Sequence, residues 1–199
     1  MLTADELDQV CDTLIEHEGL IPWLYCDYRG FVTVGVGDKV SPSSVLTMPF
    51  VHMATGVGAT SEEKSTAFVR VQDFFKKGLT AGAYRACSDL RLDAAFCRRR
   101  LQYRLNSEFI PAVEKQCPQF TYFPLQVKLV LIDICYNVGG GTGFAAFDYL
   151  IALCNSGQFG AAAEHVHTKK DGEDPKNPAT WGKRNTWRRN TMLAAVVVT

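Results

Sequence analysis

Residues 3–37 read TADELDQVCDTLIEHEGLIPWLYCDYRGFVTVGVG, and the change of period inside this stretch decides the fold class. Thr3 and Glu6 stand at the spacing of a capping box, in which each side chain accepts the other residue's backbone N–H at a helix start. Leu7, Val10, Cys11, Leu14 and Ile15 then recur at helical spacing, and continuing the stripe Leu7, Cys11, Leu14 by four places lands on Glu18. A carboxylate that prolongs an apolar stripe is expected to face inward at the helix end, with Gly19 as the stop. From Trp23 onward the period falls to two. Short extended pieces flank the turn Asp27-Tyr28-Arg29-Gly30, and Val32, Val34 and Val36 alternate with Thr33 and Gly35. The valines are expected on a small core, with Thr33 on the opposite face beside glycines that would let a ligand come close.

Working outward, residues 39–66 are rich in Ser, Thr, Gly and Pro without a strong period and read as a loop-rich lobe. Helices are expected near 61–77, 92–106, 108–116, 124–137, 144–155, 158–167 and 186–197. Leu125 to Tyr136 is apolar nearly all round and should be the buried central helix, stopped by Asn137-Val138-Gly139-Gly140-Gly141. Lys169 to Pro178 is a polar, proline-containing loop. The expected fold is a mainly helical α+β single domain over 1–199. A small β/loop lobe near 20–60 would stand against a helical lobe from 1–19 and about 61–199, with a ligand cleft between them.

With 47% hydrophobic and 21% charged residues, a chain of 199 residues can bury one good core. Lys and Arg equal Asp and Glu at 21 each, which argues against a nucleic-acid partner. Arg98, Arg99, Arg100 and Arg104 read as a solvated helix face, whereas Lys183, Arg184, Arg188 and Arg189 are closer to a functional cluster. Seven cysteines form no C-x-x-C pair, so free thiols made in a reducing compartment are expected, with no disulfide framework. His165 and His167 lack companion ligands, and no metal or cofactor is expected. Nothing reads as a signal peptide or a membrane span, so the chain is expected to be made in the cytoplasm and to reach its target by another route.

Two carboxyls in different surroundings are what glycosidic hydrolysis needs: one protonated to donate to the leaving oxygen, one ionised to attack or to activate water. Glu18, ending an apolar stripe, suits the acid, and Asp27, in a polar turn, suits the base.

Glu18-Gly19 followed by Tyr25-x-Asp27-x-x-Gly30-x-x-Thr33-x-Gly35-x-Gly37 resembles the active-site segment of phage-type lysozymes, the endolysin muramidases. Downstream, Gln126 to Gly139, with its aromatic-Asn-x-Gly ending, resembles the family's buried helix. Phe147 to Ala163 is similar to the helix pair that follows, and Arg188-Arg189 to its paired-arginine helix. The resemblance implies a peptidoglycan hydrolase that inverts the sugar. Glu18 would be the general acid, and Asp27 and Thr33 would hold the attacking water. Tyr25, Gly35, Asn137 and Arg189 would contact substrate, and Arg189, or else Arg188, would set the charge of Glu18. It also implies a monomer that acts on wall glycan strands after holin release or injection by a secretion system. An immunity protein plugging the cleft would be the partner in the second case. Asp38 stands where many relatives have His, Met192 where an acidic residue is common, and groove residues in 39–90 stay unassigned. A lytic transglycosylase and a non-catalytic wall-binding module are the alternatives.

Overall fold

The box at Thr3 and Glu6 closes in the computed structural model, which describes residues 2–169 and 172–196: the Thr3 N–H donates to Glu6 Oε2 (2.8 Å) and the Glu6 N–H to Thr3 Oγ1 (3.2 Å). Helix α1 (Ala4–Glu18) follows, with Val10, Cys11 and Leu14 buried. Gly19 stops it in the left-handed conformation (φ +78°), its N–H still bonded to the Ile15 carbonyl at 2.9 Å. The fold is mainly helical α+β, with 59% of the described residues helical and 9% extended. Two compact units divide the chain: Leu14–Gln102, and the segment up to Thr13 together with Tyr103 onward.

In the unit Leu14–Gln102, strands β1 (Ile21–Cys26), β2 (Val32–Gly35) and β3 (Asp38–Lys39) form an antiparallel sheet in sequence order. Tyr25 stands opposite Thr33, and Thr33 opposite Lys39. Val32 and Val34 join a core with Leu24, Cys26, Phe68 and Val71. The expected open face of β2 is covered as well. Thr33 is only 2% exposed, and Gly35 is buried with Cys97 of helix α4 (Ala94–Arg104) 3.5 Å from where a Gly35 Cβ would stand.

The stretch read as loops holds helix α2 (Pro42–Thr47), strand β4 (Val51–His52) and the capped start of helix α3 (Ser61–Asp73). Ser41 with Ser44 and Thr60 with Glu63 both form capping boxes. Val45, Met48 and Phe50 are almost fully buried in the same core, and β4 pairs with β5 (Leu90–Arg91). These elements are too short to show a period; because they share this core, the compact unit runs to Gln102, beyond the lobe expected near 20–60. Asp93 caps α4 by accepting the Ala95 N–H at 2.9 Å.

The other unit is built on α6 (Leu125–Asn137), whose Val127, Val130, Leu131, Ile132, Ile134 and Cys135 are wholly buried. Before it, a π-helical turn (Leu105–Phe109) joins α4 to α5 (Ile110–Gln116), and the Ile110 N–H reaches back five residues to the Leu105 carbonyl. Pro111, with no N–H to continue the ladder, accounts for the widening. The helix expected over 144–155 is two, α7 (Gly141–Ala145) and α8 (Asp148–Asn155). The one near 158–167 is α9 (Phe159–Ala162) with a 3-10 turn (Ala163–His165). The last, α10 (Lys183–Ala194), starts three residues earlier than expected, and residue 197 at its expected end lies outside the described residues. No helix among the described residues is long and apolar enough to cross a membrane.

Two polar networks fasten the α6 unit. Lys128, on α6, is 5% exposed and donates to Glu6 at 2.7 Å. Asp133, 1% exposed, takes Arg188 Nε at 2.5 Å and Arg184 Nη2 at 2.8 Å. The C-terminal basic cluster is thus partly structural. The mid-chain cluster is not a merely solvated face either: Arg100 donates to Asp38 at 2.6 Å, and Arg104 lies over the Phe109 and Tyr136 rings. All seven cysteines are free and buried.

Candidate functional site

Glu18 is the last residue of α1 and is half-buried, one turn beyond the buried Leu14. The sequence places it there because the apolar stripe ends where the helix does. Tyr25, on β1, reports what surrounds it. Burial first, then the charges of Glu18 and Asp27, push its phenol up to about 12, so both carboxylates act on one hydroxyl. The carboxylates of Glu18 and Asp27 thus both contribute to the electrostatic surroundings of Tyr25.

Asp27 builds the hairpin between β1 and β2. Its Oδ1 accepts the N–H groups of Arg29 (2.9 Å) and Phe31 (3.0 Å), while its carbonyl accepts that of Gly30 (2.9 Å). Gly30 closes the turn at φ +86°, a conformation L side chains rarely adopt. Turn geometry thus occupies one carboxylate oxygen. The other, Oδ2, has Lys39 Nζ at 3.9 Å, and that ammonium also lies 4.5 Å from the centre of the Phe31 ring. Thr33 donates its hydroxyl to the Phe31 carbonyl at 2.9 Å, so only its oxygen lone pairs remain for another partner. At Gly35 the close approach expected of a ligand is made by α4.

No protein-family model matches this chain, and no curated protein matches it either. The site therefore stands on its own residues.

Asn137 and Arg189 lie in the other unit. Asn137 is the exposed last residue of α6, and Gly139 and Gly140 behind it take positive φ (+85° and +98°), ending the helix as expected. Arg189 is held by Glu164, with Nη2 at 2.6 Å and Nε at 2.9 Å from Oε1. Arg188 is buried on Asp133, Thr168 (2.6 Å) and Asn185 (2.9 Å).

Sequence reasoning missed a second polar constellation. His52 on β4 has Nδ1 2.8 Å from Asp89 Oδ2 and Nε2 3.3 Å from Glu63 Oε1. The Asp89 hydrogen bond, then the neighbouring charges, raise the imidazole above its ordinary value against partial desolvation. Glu63 is lowered by the Thr60 hydrogen bonds before His52 adds to the effect. Thr60-x-x-Glu63 was the one visible signal, as a capping box; nothing in the sequence pairs His52 with Asp89, 37 positions further on. His167 is held by Glu173 at 3.0 Å, and the His165 ring meets Tyr149 edge-on. Among the described residues no group of three His, Cys, Asp or Glu could hold a metal ion.

Proposed function

We propose that this protein is a peptidoglycan hydrolase, a muramidase cutting the β-1,4 bond between N-acetylmuramic acid and N-acetylglucosamine. The observation that carries the reading is that Glu18 ends the helix leading into β1, Asp27 builds the turn after it, and Thr33 pairs with Tyr25 across the sheet between them. The lysozyme-like spacing of these residues supports it. Glu18 gives its proton to the bridging oxygen as the bond to the sugar carbon breaks. Asp27, through Oδ2, takes a proton from water, whose oxygen adds to that carbon from the opposite face and inverts it. Thr33 accepts a hydrogen bond from the same water. Lys39 Nζ stands 3.9 Å from Oδ2 as a countercharge. No cofactor enters the reaction. The chain would work as a monomer on wall glycan strands, reached through a membrane pore or by injection, and in the latter case an immunity protein would block it.

One observation favours a second reading. Thr33 is nearly buried and already bonded, so a lytic transglycosylase, which needs the acid but no held water, fits that residue as well. Digesting purified peptidoglycan with the wild type and Glu18→Gln, and identifying fragments by liquid chromatography and mass spectrometry, separates them. Reducing N-acetylmuramic ends from the wild type alone are the expected result. Anhydro ends would make it a transglycosylase, and no fragments from either protein would leave a wall-binding module.

A further inference from the structure

Away from Glu18 and Asp27, the unit Leu14–Gln102 carries a pocket of 630 Å³ between α3, the end of β4 and the segment leading into β5. That volume lies within the range of small-molecule sites. The helical spacing of Glu62, Thr66 and Arg70 turns one face of α3 into a wall. Arg85 and Asp89 stand in the wall opposite, and His52, bonded to both Glu63 and Asp89, ties the two walls together.

The charges of this lining are unevenly committed. His52, Glu63 and Asp89 satisfy one another. Among the described residues the Arg70 guanidinium takes part in no hydrogen bond or ion pair, and the Arg85 guanidinium has stacking on Trp23 alone, 5.1 Å from the ring centre. Two guanidiniums therefore remain to meet a carboxylate, for which their planar fork is suited. Glu62, together with the surplus negative charge of the His52 group, remains to meet an ammonium. A pocket with a cationic and an anionic share takes a zwitterion more readily than a simple anion. Arg70 and Cys87 also line an adjoining hollow of 480 Å³, so the site is elongated and suits a short peptide better than a single amino acid.

We propose that this pocket is a second binding site, for a short peptide bearing both free carboxylates and a free ammonium. Resting on the reading of the chain as a peptidoglycan hydrolase, the peptide is the stem attached to the wall glycan. Its diamino acid supplies the ammonium and its carboxylates face Arg70 and Arg85.

Isothermal titration of the full chain with the free stem tripeptide L-Ala-γ-D-Glu-diaminopimelate tests the site without any hydrolysis. Saturable binding is expected, weakened about tenfold by Arg70→Gln, by Arg85→Gln and by Glu62→Gln, as the loss of one charge-assisted hydrogen bond predicts. The tripeptide with its carboxylates amidated should bind comparably weakly. Circular dichroism of each variant shows that it is folded. No heat of binding in the wild type, or equal affinity in the Arg70→Gln, Arg85→Gln double variant, overturns the proposal. So does free diaminopimelate binding as tightly as the tripeptide, which would make this an amino-acid pocket. A protein that releases no wall fragments yet binds the tripeptide through Arg70 would refute the hydrolase and keep the site.

Discussion

Replacing Asp133 by Asn withdraws one negative charge from the interior of the α6 unit while keeping the side-chain shape. Asp133 is 1% exposed and Arg188 is 0% exposed, and the carboxylate takes Arg188 Nε at 2.5 Å and both Arg184 Nε (3.2 Å) and Nη2 (2.8 Å). Thr168 and Asn185 supply neutral oxygens to Arg188 Nη1, which cannot replace a charge. Removing one member of a buried ion pair costs about 3–5 kcal/mol, because the remaining charge stays desolvated. Against a total stability of roughly 5–15 kcal/mol, that is a large fraction. With a urea slope of about 2 kcal/mol/M, the unfolding midpoint should fall by about 1.5–2.5 M, read by tryptophan fluorescence. A fall below about 0.5 M would show that water reaches the guanidinium and that the burial argument fails. Asp133→Leu with Arg188→Met should recover much of the loss, since well-packed apolar side chains of similar volume replace buried ion pairs at little cost.

Asp27→Asn should fold like the wild type, because an amide oxygen can still accept from Arg29 and Phe31, yet abolish hydrolysis by removing the base. Asp27→Ala should lose activity and in addition about 1–2 kcal/mol, measured by urea unfolding, from the two turn hydrogen bonds. The clasp of His52 is pH-dependent. Its folded value is raised above the ordinary 6.5, so its stabilisation is full below that pH and lost as pH rises through the raised value. Glu63 and Asp89 are lowered from 4.5 and 3.8, so their share is lost as pH falls below those values. Thermal melts across this range should show His52→Gln flattening the decline above pH 6.5; an unchanged profile would remove His52 from the account. All seven thiols are buried, and desolvation holds Cys97 and Cys117 up to about 11 and Cys135 and Cys154 to about 12. A thiol reagent at pH 8 should therefore react slowly with the folded protein and with all seven groups once it is unfolded, and rapid reaction of any one would contradict its burial.

The long-period elements were legible because a helix of three or four turns repeats its apolar face often enough to be seen. The Thr3–Glu6 box, the stripe to Glu18, the Gly19 stop and the buried α6 all follow from residues within a few places of one another. The turn at Asp27 was equally local, since Asp27 and Gly30 supply their own hydrogen bonds. Residues 39–66 were not legible, because α2 and β4 are shorter than the window in which a period declares itself.

By itself, then, the sequence determined the mainly helical α+β class, the free buried thiols and the positions of Glu18, Asp27 and Thr33 along the chain. Only the tertiary structure decided which groups meet. It set Asp133 between Arg184 and Arg188, Asp38 against Arg100, and His52 between Glu63 and Asp89, and it buried Thr33 and packed α4 on Gly35. The reason is that a pattern along the chain specifies which face of an element is apolar, whereas a buried charge selects its partner by distance in space, across 51, 62 or 37 residues that carry no common period.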